Sequence, residues 1–431
     1  MKAKTVVVVG GGWAGCAAAV SAQRALGERG RVVVLERTDM LLGLGLCGGI
    51  FRNNGRFVAA EECLALGGGG DLIRVMDETA RHQDIEFPGH RHASLYDVDR
   101  IEAAVGAALA ASGVAVRASF RVAELERCRR EVRAVVSDQD ERLAGDAFVD
   151  ATGTAGPPGN CILYGRGCAM CIVRCPSFGP RRGLAELAGV AELTGRRPDG
   201  RPGSFSGSCD LRPESLGAQL RGRLTAAGVA VIDLPPDLQD PAKLAEKACQ
   251  QYNLPEFGSS LVLLDTGPAK MMSPYLPLDV LRRLPGLERA RYAEPLAGGR
   301  GNAVRFVGMA RCGPDLRVKG LANVFAAGEK AGPAVGHTEA VVSGMLAGHN
   351  AARSALGLEP LTLPGATAAG DFLASLARVM RREALDLRLT FAGAWFFARM
   401  RAQGVYTQDV AQIRERVRAL GLDAALNQPL R

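Results

Sequence analysis

The chain has no apolar run long enough to cross a membrane. Its longest, VVVVGGGWAGCAAAV near the start, is interrupted by glycines, whereas a spanning helix needs about 20 predominantly apolar residues. The start, MKAK followed directly by a strand-like run, has neither an apolar helix of signal length nor a small-residue cleavage site. The sequence therefore predicts a cytoplasmic protein without a membrane partner. Internal repeats and low-complexity tails are absent as well. His82, His90 and His92 show no carboxylate or cysteine spacing that would make them a site. No second Gly-x-Gly-x-x-Gly follows a strand in the middle of the chain, which argues against a second built-in dinucleotide domain, so that any nicotinamide would bind transiently.

What is present fits an ordinary globular protein. At 431 residues, with 47% hydrophobic and 23% charged, the chain can bury a large core and divide into two or three domains. The net charge of +8 suits an anionic partner, but 45 acidic residues are interspersed with the basic ones, so charge alone does not establish nucleic-acid binding. In a reducing compartment the 11 cysteines read as thiols, metal ligands or packing residues rather than disulfides.

The β-branched run Thr5 to Val9, the turn GGGWAG, the alanine-rich stretch to Leu26 and the run Arg31 to Glu36 make a βαβ unit. Within the turn, Gly10 permits the tight bend, Gly12 lets the backbone approach a pyrophosphate, and Gly15 lets helix and strand pack closely. The phosphates would rest on the free amides of the helix N-terminus, and Glu36 ends the next strand where ribose hydroxyls would meet it. Residues 40–70, rich in glycine and leucine, read as loops and short helices around a ligand. A helix is expected from Tyr96 to Ala111, opened by Asp97 or Asp99. A β-meander is expected from Phe120 to Leu143, further strands at Ala147–Ala151, Leu261–Asp265 and Asn323–Ala327, and helices at Pro241–Gln251 and Thr338–Leu356. The fold class is thus α/β: a Rossmann-like dinucleotide-binding domain with a parallel sheet and β-meander (residues 1–156 and 319–360), an inserted α+β substrate domain (157–318) and a helical C-terminal region (361–431).

Asp150-Ala-Thr-Gly153 and Asn323-Val-Phe-Ala-Ala-Gly328-Glu329 each follow a strand. With the first turn they resemble the three-part FAD signature of the glutathione-reductase-like flavoproteins. The segment GEKAGPAVGHTEAVVSGMLAGHNAAR, residues 328–353, is similar to the C-terminal flavin segment of the GidA (MnmG) and TrmFO group of tRNA-modifying flavoproteins, with His337 where the pattern has an aromatic. The resemblance implies FAD as cofactor. It also implies a cofactor-binding set of Gly10, Gly12, Ala14, Gly15, Glu36, Arg37, Val122, Ala151, Gly153, Gly328, Glu329 and Gly336, with Val122 meeting adenine through its backbone. The middle of the chain matches neither pattern.

Three further features bear on chemistry. Cys47, in GLGLCGGIF, is a candidate catalytic thiol near the flavin, with a small packing residue as the alternative. His337 is a candidate stabiliser of the anion that develops when the ring takes a hydride, with helix capping as the alternative. Cys168, Cys171 and Cys175-Pro176 resemble the last part of a bacterial ferredoxin run and are candidate iron–sulfur ligands. Zinc, an electron-exchanging dithiol and no special role are the competing readings. Arg174, Arg181, Arg182, Arg196, Arg197 and Arg201 read as a solvated face or a positive rim. With Phe178 as their lone aromatic they offer no stacking platform. The leading expectation is an FAD-dependent oxidoreductase that passes electrons between flavin and a substrate bound by the inserted domain, its donor and acceptor being small molecules or proteins. A TrmFO-like, folate-dependent RNA uracil methyltransferase and a non-enzymatic flavin redox sensor are the alternatives. No oligomeric state follows from the sequence.

Overall fold

A computed structural model describes residues 3–155, 161–162, 170–197, 199–205, 209–241, 244, 254–272, 276–294, 304–305 and 308–431. The chain begins with β1 (Lys4–Val9), α1 (Trp13–Leu26) and β2 (Gly30–Leu35). Next come β3 (Ile50–Phe51), α2 (Gly55–Leu66), α3 (Leu72–Glu78), the hairpin β4 (Ala80–Phe87) and β5 (His90–Tyr96), and α4 (Ile101–Ala111). They are followed by β6 (Ala115–Arg117), the meander β7 (Val122–Cys128), β8 (Glu131–Ser137) and β9 (Arg142–Ala144), and β10 (Ala147–Asp150). Two short antiparallel pairs follow, β11 (Glu192–Thr194) with β18 (Gly308–Ala310) and β12 (Ser204–Phe205) with β17 (Val304–Arg305). A second sheet is made of β13 (Cys209–Leu211), β14 (Val229–Asp233), β15 (Ser260–Asp265) and β16 (Ala269–Met271), in the order β13-β16-β15-β14. The last strand is β19 (Val324–Ala326).

The principal sheet has the order β19-β10-β1-β2-β6, and its neighbouring strands are parallel. Val6, Val7, Val8 and Val9 are all buried, as expected of a strand covered on both faces. On one face α1 lies against the helix His337–Ala355 at backbone distance. A Cβ on Gly344 would stand 2.2 Å from the Ala14 carbonyl oxygen, and one on Gly348 1.9 Å from that of Ala18. The glycines four residues apart in the segment SGMLAGHN thus serve helix packing. A second core lies around Leu211, Leu261, Leu263, Leu281 and Leu284. A third joins the hairpin to the second sheet through Ile50, Phe87, Leu95, Val262 and Leu264. The fold is the α/β class expected, with a parallel sheet, a meander and a helical C-terminal region of Ala368–Arg382, Ala394–Ala402 and Val410–Ala419.

Two local expectations change, and a third falls outside the described residues. Tyr96 closes a strand rather than opening a helix, and the helix starts at Ile101 after Arg100. Asp97 instead accepts from the Asp99 amide at 2.9 Å and from Arg81 at 3.0 Å. Within residues 40–70 stands the 12-residue α2. Its amphipathic signal is weak because Val58, Ala59, Ala60, Glu61, Glu62 and Cys63 are all buried, which leaves no solvent face to mark a period. The expected helix Pro241–Gln251 lies almost wholly outside the described residues. Among the described residues no helix is long and apolar enough to cross a membrane.

Candidate functional site

The C-terminal end of β1 runs into Gly10, whose φ of +105° excludes most side chains. A Cβ there would lie 2.4 Å from the Ala151 carbonyl oxygen, and one on Gly15 would lie 1.8 Å from that of Gly10. A Cβ on Gly12 would meet nothing within 4 Å. Two glycines therefore let protein approach protein, while the third keeps the α1 N-terminus open to a ligand. Glu36 accepts from the Gly11 amide at 2.8 Å, and its other oxygen accepts from the Thr38 amide and hydroxyl at 2.9 and 3.0 Å. Its carboxylate thus orders the turn as well as facing the cleft.

An open cleft runs from this turn across the strand ends. Gly10, Gly12, Ala14, Glu36, Arg37, Val122, Ala151, Gly153, Gly328, Glu329 and Gly336 all line it, and so do Cys47 and His337. Gly15 packs behind it. Asp150 does not reach the cleft: its carboxylate accepts from Thr152 Oγ1 at 2.8 Å and from the Leu184 amide at 2.6 Å, which anchors the loop. Glu329 accepts from Thr154 Oγ1 at 2.7 Å and ties the second and third signature segments together.

Residues 170–183 close one side. Arg37 donates to the Val173 carbonyl, and Arg181 donates to the Thr154 and Val173 carbonyls at 2.5 and 2.7 Å. Arg174, Arg181 and Arg182 line the cleft; Arg174 is 4% exposed and Arg181 half-buried, which corrects the expectation of a solvated face for these two, while Arg182 is exposed. Burial, and then the neighbouring Arg37, push the Arg181 guanidinium down to about 10. Arg196 and Arg201 are exposed as expected.

At the other end of the cleft, Lys270 is 2% exposed and donates to the Cys47 carbonyl at 2.7 Å. Asp210 stands opposite Lys270 in the β13–β16 register, so the two side chains share a sheet face. Burial pushes the Asp210 carboxyl up to about 6, and its buried Oδ1 has no hydrogen-bond partner among the described residues. Burial also pushes the Cys47 thiol up, with Asp210 and Glu294 adding to the effect. Cys47 is therefore a neutral thiol at rest, unlike the activated cysteines whose values are lowered.

His337 opens its helix and meets Tyr96 Oη through Nδ1 at 2.9 Å. Tyr96 Oη also lies 2.6 Å from the Gly45 carbonyl and 3.2 Å from Trp13 Nε1. Beneath it, Arg56 and Glu339 form a buried ion pair at 3.0 Å, and Glu339 also accepts from Thr390 Oγ1 at 2.6 Å and the Phe391 amide at 2.9 Å. Sequence reasoning missed Trp13, Arg56, Tyr96, Asp210 and Lys270. They come from separate elements, and the sequence carried no spacing signal for them.

The structure adds no support to the three-cysteine metal reading. Cys171 and Cys175 are half-buried and Cys168 lies outside the described residues. Among the described residues no three histidine, cysteine or acidic side chains gather as a metal site.

A parallel sheet with a glycine turn, an acidic residue ending the second strand and a cleft at the strand ends defines a Rossmann-type dinucleotide-binding protein. Residues 5–212 and 265–359 match the model of the family described as glucose inhibited division protein A. The match covers well over half of the chain, and the chain belongs to this family. The tRNA-(uracil-5-)-methyltransferase TrmFO of Crocosphaera subtropica, named for its methylenetetrahydrofolate, is 38% identical over 99 residues, 22% of this chain and 21% of the relative. The enzyme of the same name from Bacillus cereus is 37% identical over 93 residues, again 22% of this chain and 21% of the relative. The matched stretch thus spans about a fifth of these relatives. Among solved structures, Aquifex aeolicus GidA in its form II crystal superposes with a TM-score of 0.63 at 17% identity, covering 97% of this chain and 76% of that one. The form I crystal gives 0.61 at 16%, covering 97% and 79%. These likenesses show the fold, and membership of the family supports FAD as the cofactor. The residues fit it: the open space above Gly12 lies where the pyrophosphate of a dinucleotide sits in such a turn, on the α1 amides.

Proposed function

We propose that this protein is an FAD-dependent enzyme that modifies uracil in RNA, with Cys47 as the thiol that meets the base. The observation that carries the proposal is the placement of Cys47 and His337 in the same cleft as the dinucleotide cradle. The partial identity to TrmFO enzymes supports the substrate class, as does the net charge of +8. Bound FAD would supply two-electron chemistry. Lys270 holds the Cys47 loop through its carbonyl. The raised Asp210 carboxyl beside it is a group able to carry a proton near neutral pH. The thiol is neutral at rest, so its activation belongs to the substrate complex.

The test uses FAD-loaded wild type and Cys47→Ser. A tRNA transcript is titrated at rising salt, and transfer of labelled carbon from methylenetetrahydrofolate to its uracil is followed. The expected outcome is salt-sensitive binding by both proteins and transfer by the wild type alone. Wild type that neither binds RNA nor transfers carbon would refute the proposal.

One observation favours a second reading. Val173, Arg174 and Arg181 narrow one side of the cleft, and the likeness to TrmFO covers about a fifth of those enzymes. An FAD-dependent oxidoreductase acting on a small molecule beside Lys270 and Asp210 would suit a cleft narrowed in that way. Rapid reduction of the flavin by a nicotinamide, with reoxidation by a small acceptor and no RNA binding, is the result expected of it.

A further inference from the structure

Tyr96 Oη has one proton to give, and its polar neighbours are the Gly45 carbonyl, the Trp13 indole, the Gly49 amide and the His337 ring. The Gly45 carbonyl, 2.6 Å away, can only accept, and the Trp13 indole, 3.2 Å away, can only donate. Two acceptor oxygens at 2.6 Å repel unless a proton lies between them, so the phenol proton goes to Gly45. The contact with His337 Nδ1 at 2.9 Å then requires the proton to be on the ring nitrogen, with Tyr96 accepting.

We infer that Tyr96, itself fixed by Gly45 and Trp13, holds His337 in the Nδ1–H tautomer, so that Nε2 is the proton-accepting atom of the neutral ring. This changes the role expected from sequence. A neutral His337 offers negative charge no proton at Nε2; only the imidazolium does. The residue therefore takes up a proton when negative charge develops in the cleft. Two electrons from an external reductant such as dithionite, with one proton from solvent, leave a flavin with one added negative charge. The second proton goes from solvent to His337 Nε2. Tyr96 is a positioning residue for this uptake, because its hydroxyl accepts from Nδ1 in both states and stabilises the charged ring.

The other charged or titratable groups around His337 come from several elements. Arg56 of α2 is paired with Glu339, which lies on the histidine's own helix. The Cys47 thiol is held neutral by burial. Burial raises the Tyr96 phenol, so it too stays neutral. Lys270 of β16 is cationic and lines the same cleft. Asp210, opposite Lys270 and pushed up to about 6 by burial, is a second group able to take up a proton, and the comparison with His337→Gln separates the two.

The inference rests on FAD as the occupant of the cleft and is independent of the RNA reading. FAD-loaded wild type, His337→Gln and Tyr96→Phe are compared by reductive titration across pH. Two quantities are read: protons taken up per two electrons, and the protonation of the reduced flavin from its absorption spectrum. The wild type should take up two protons over a pH range in which the spectrum still reports an anionic reduced flavin. His337→Gln should take up one proton there. Tyr96→Phe, which keeps the ring and loses the acceptor, should move the break to lower pH by roughly one unit. Proton uptake and flavin protonation that move together in the wild type would overturn the inference, and so would a His337→Gln variant that matches it. Cofactor content is read from the same spectra, so failure of the cleft to hold FAD is seen separately from failure of the tautomer argument.

Discussion

Gly12 and Gly15 are three residues apart in one turn, and the structure gives them opposite duties. A methyl at 12 projects into open space, whereas a methyl at 15 lies 1.8 Å from a carbonyl oxygen. Gly12→Ala should therefore leave the stability of the apoprotein nearly unchanged and weaken FAD binding about tenfold or more, about 1.4 kcal/mol, as read by fluorescence titration of apoprotein. Gly15→Ala should instead cost about 1–3 kcal/mol of stability through overpacking, as read by urea unfolding without cofactor. Equal effects of the two changes on both readouts would contradict this division. At this scale the cradle was legible in the sequence, because its glycines lie within one strand, turn and helix in sequence order, although Gly10 also packs against Ala151 from a distant segment. The histidine was legible only as a position. Which of its nitrogens carries the proton depends on Gly45 and Tyr96, which are remote in sequence.

Between elements, the carboxylate of Glu62 in α2 caps another helix. It accepts from the Ala368 and Ala369 amides at 2.9 Å each, where the N-terminus of Ala368–Arg382 leaves donors unpaired. Burial pushes this carboxyl up from 4.5 to about 7. A group whose value is raised on folding binds more protons in the native state, so its contribution is present below about pH 4.5 and is lost as pH rises through about 7. Melting temperature should fall across that window in the wild type. Glu62→Gln keeps an acceptor oxygen but cannot ionise, and should show a flatter profile; parallel profiles would show that Glu62 does not titrate in that window. Neither α2 nor this contact was legible. A helix buried on all sides shows no amphipathic period, and a cap supplied from about 300 residues away leaves no local motif. The C-terminal helices were legible for the converse reason: Thr367 and Asp409 cap their own helices and solvent marks one face.

For the whole molecule, the cleft is assembled from β1, β2, β3, β7, β16, α1, α2 and the helix His337–Ala355, so a ligand that fills it couples elements from both sheets. FAD binding should raise the melting temperature in a concentration-dependent way, with about 2.7 kcal/mol of added stability when free FAD reaches about 100 times its Kd. A melting temperature indifferent to FAD would show that the cleft does not hold it. By itself the sequence determined the class of fold and the cradle, because hydrophobic period, glycine geometry and helix-terminal amides act over short stretches of chain. Only the tertiary structure decided what faces that cradle. Trp13, Tyr96, Asp210 and Lys270 join Cys47 and His337 through sheet order and register, and these four side chains leave no spacing along the chain by which to find them.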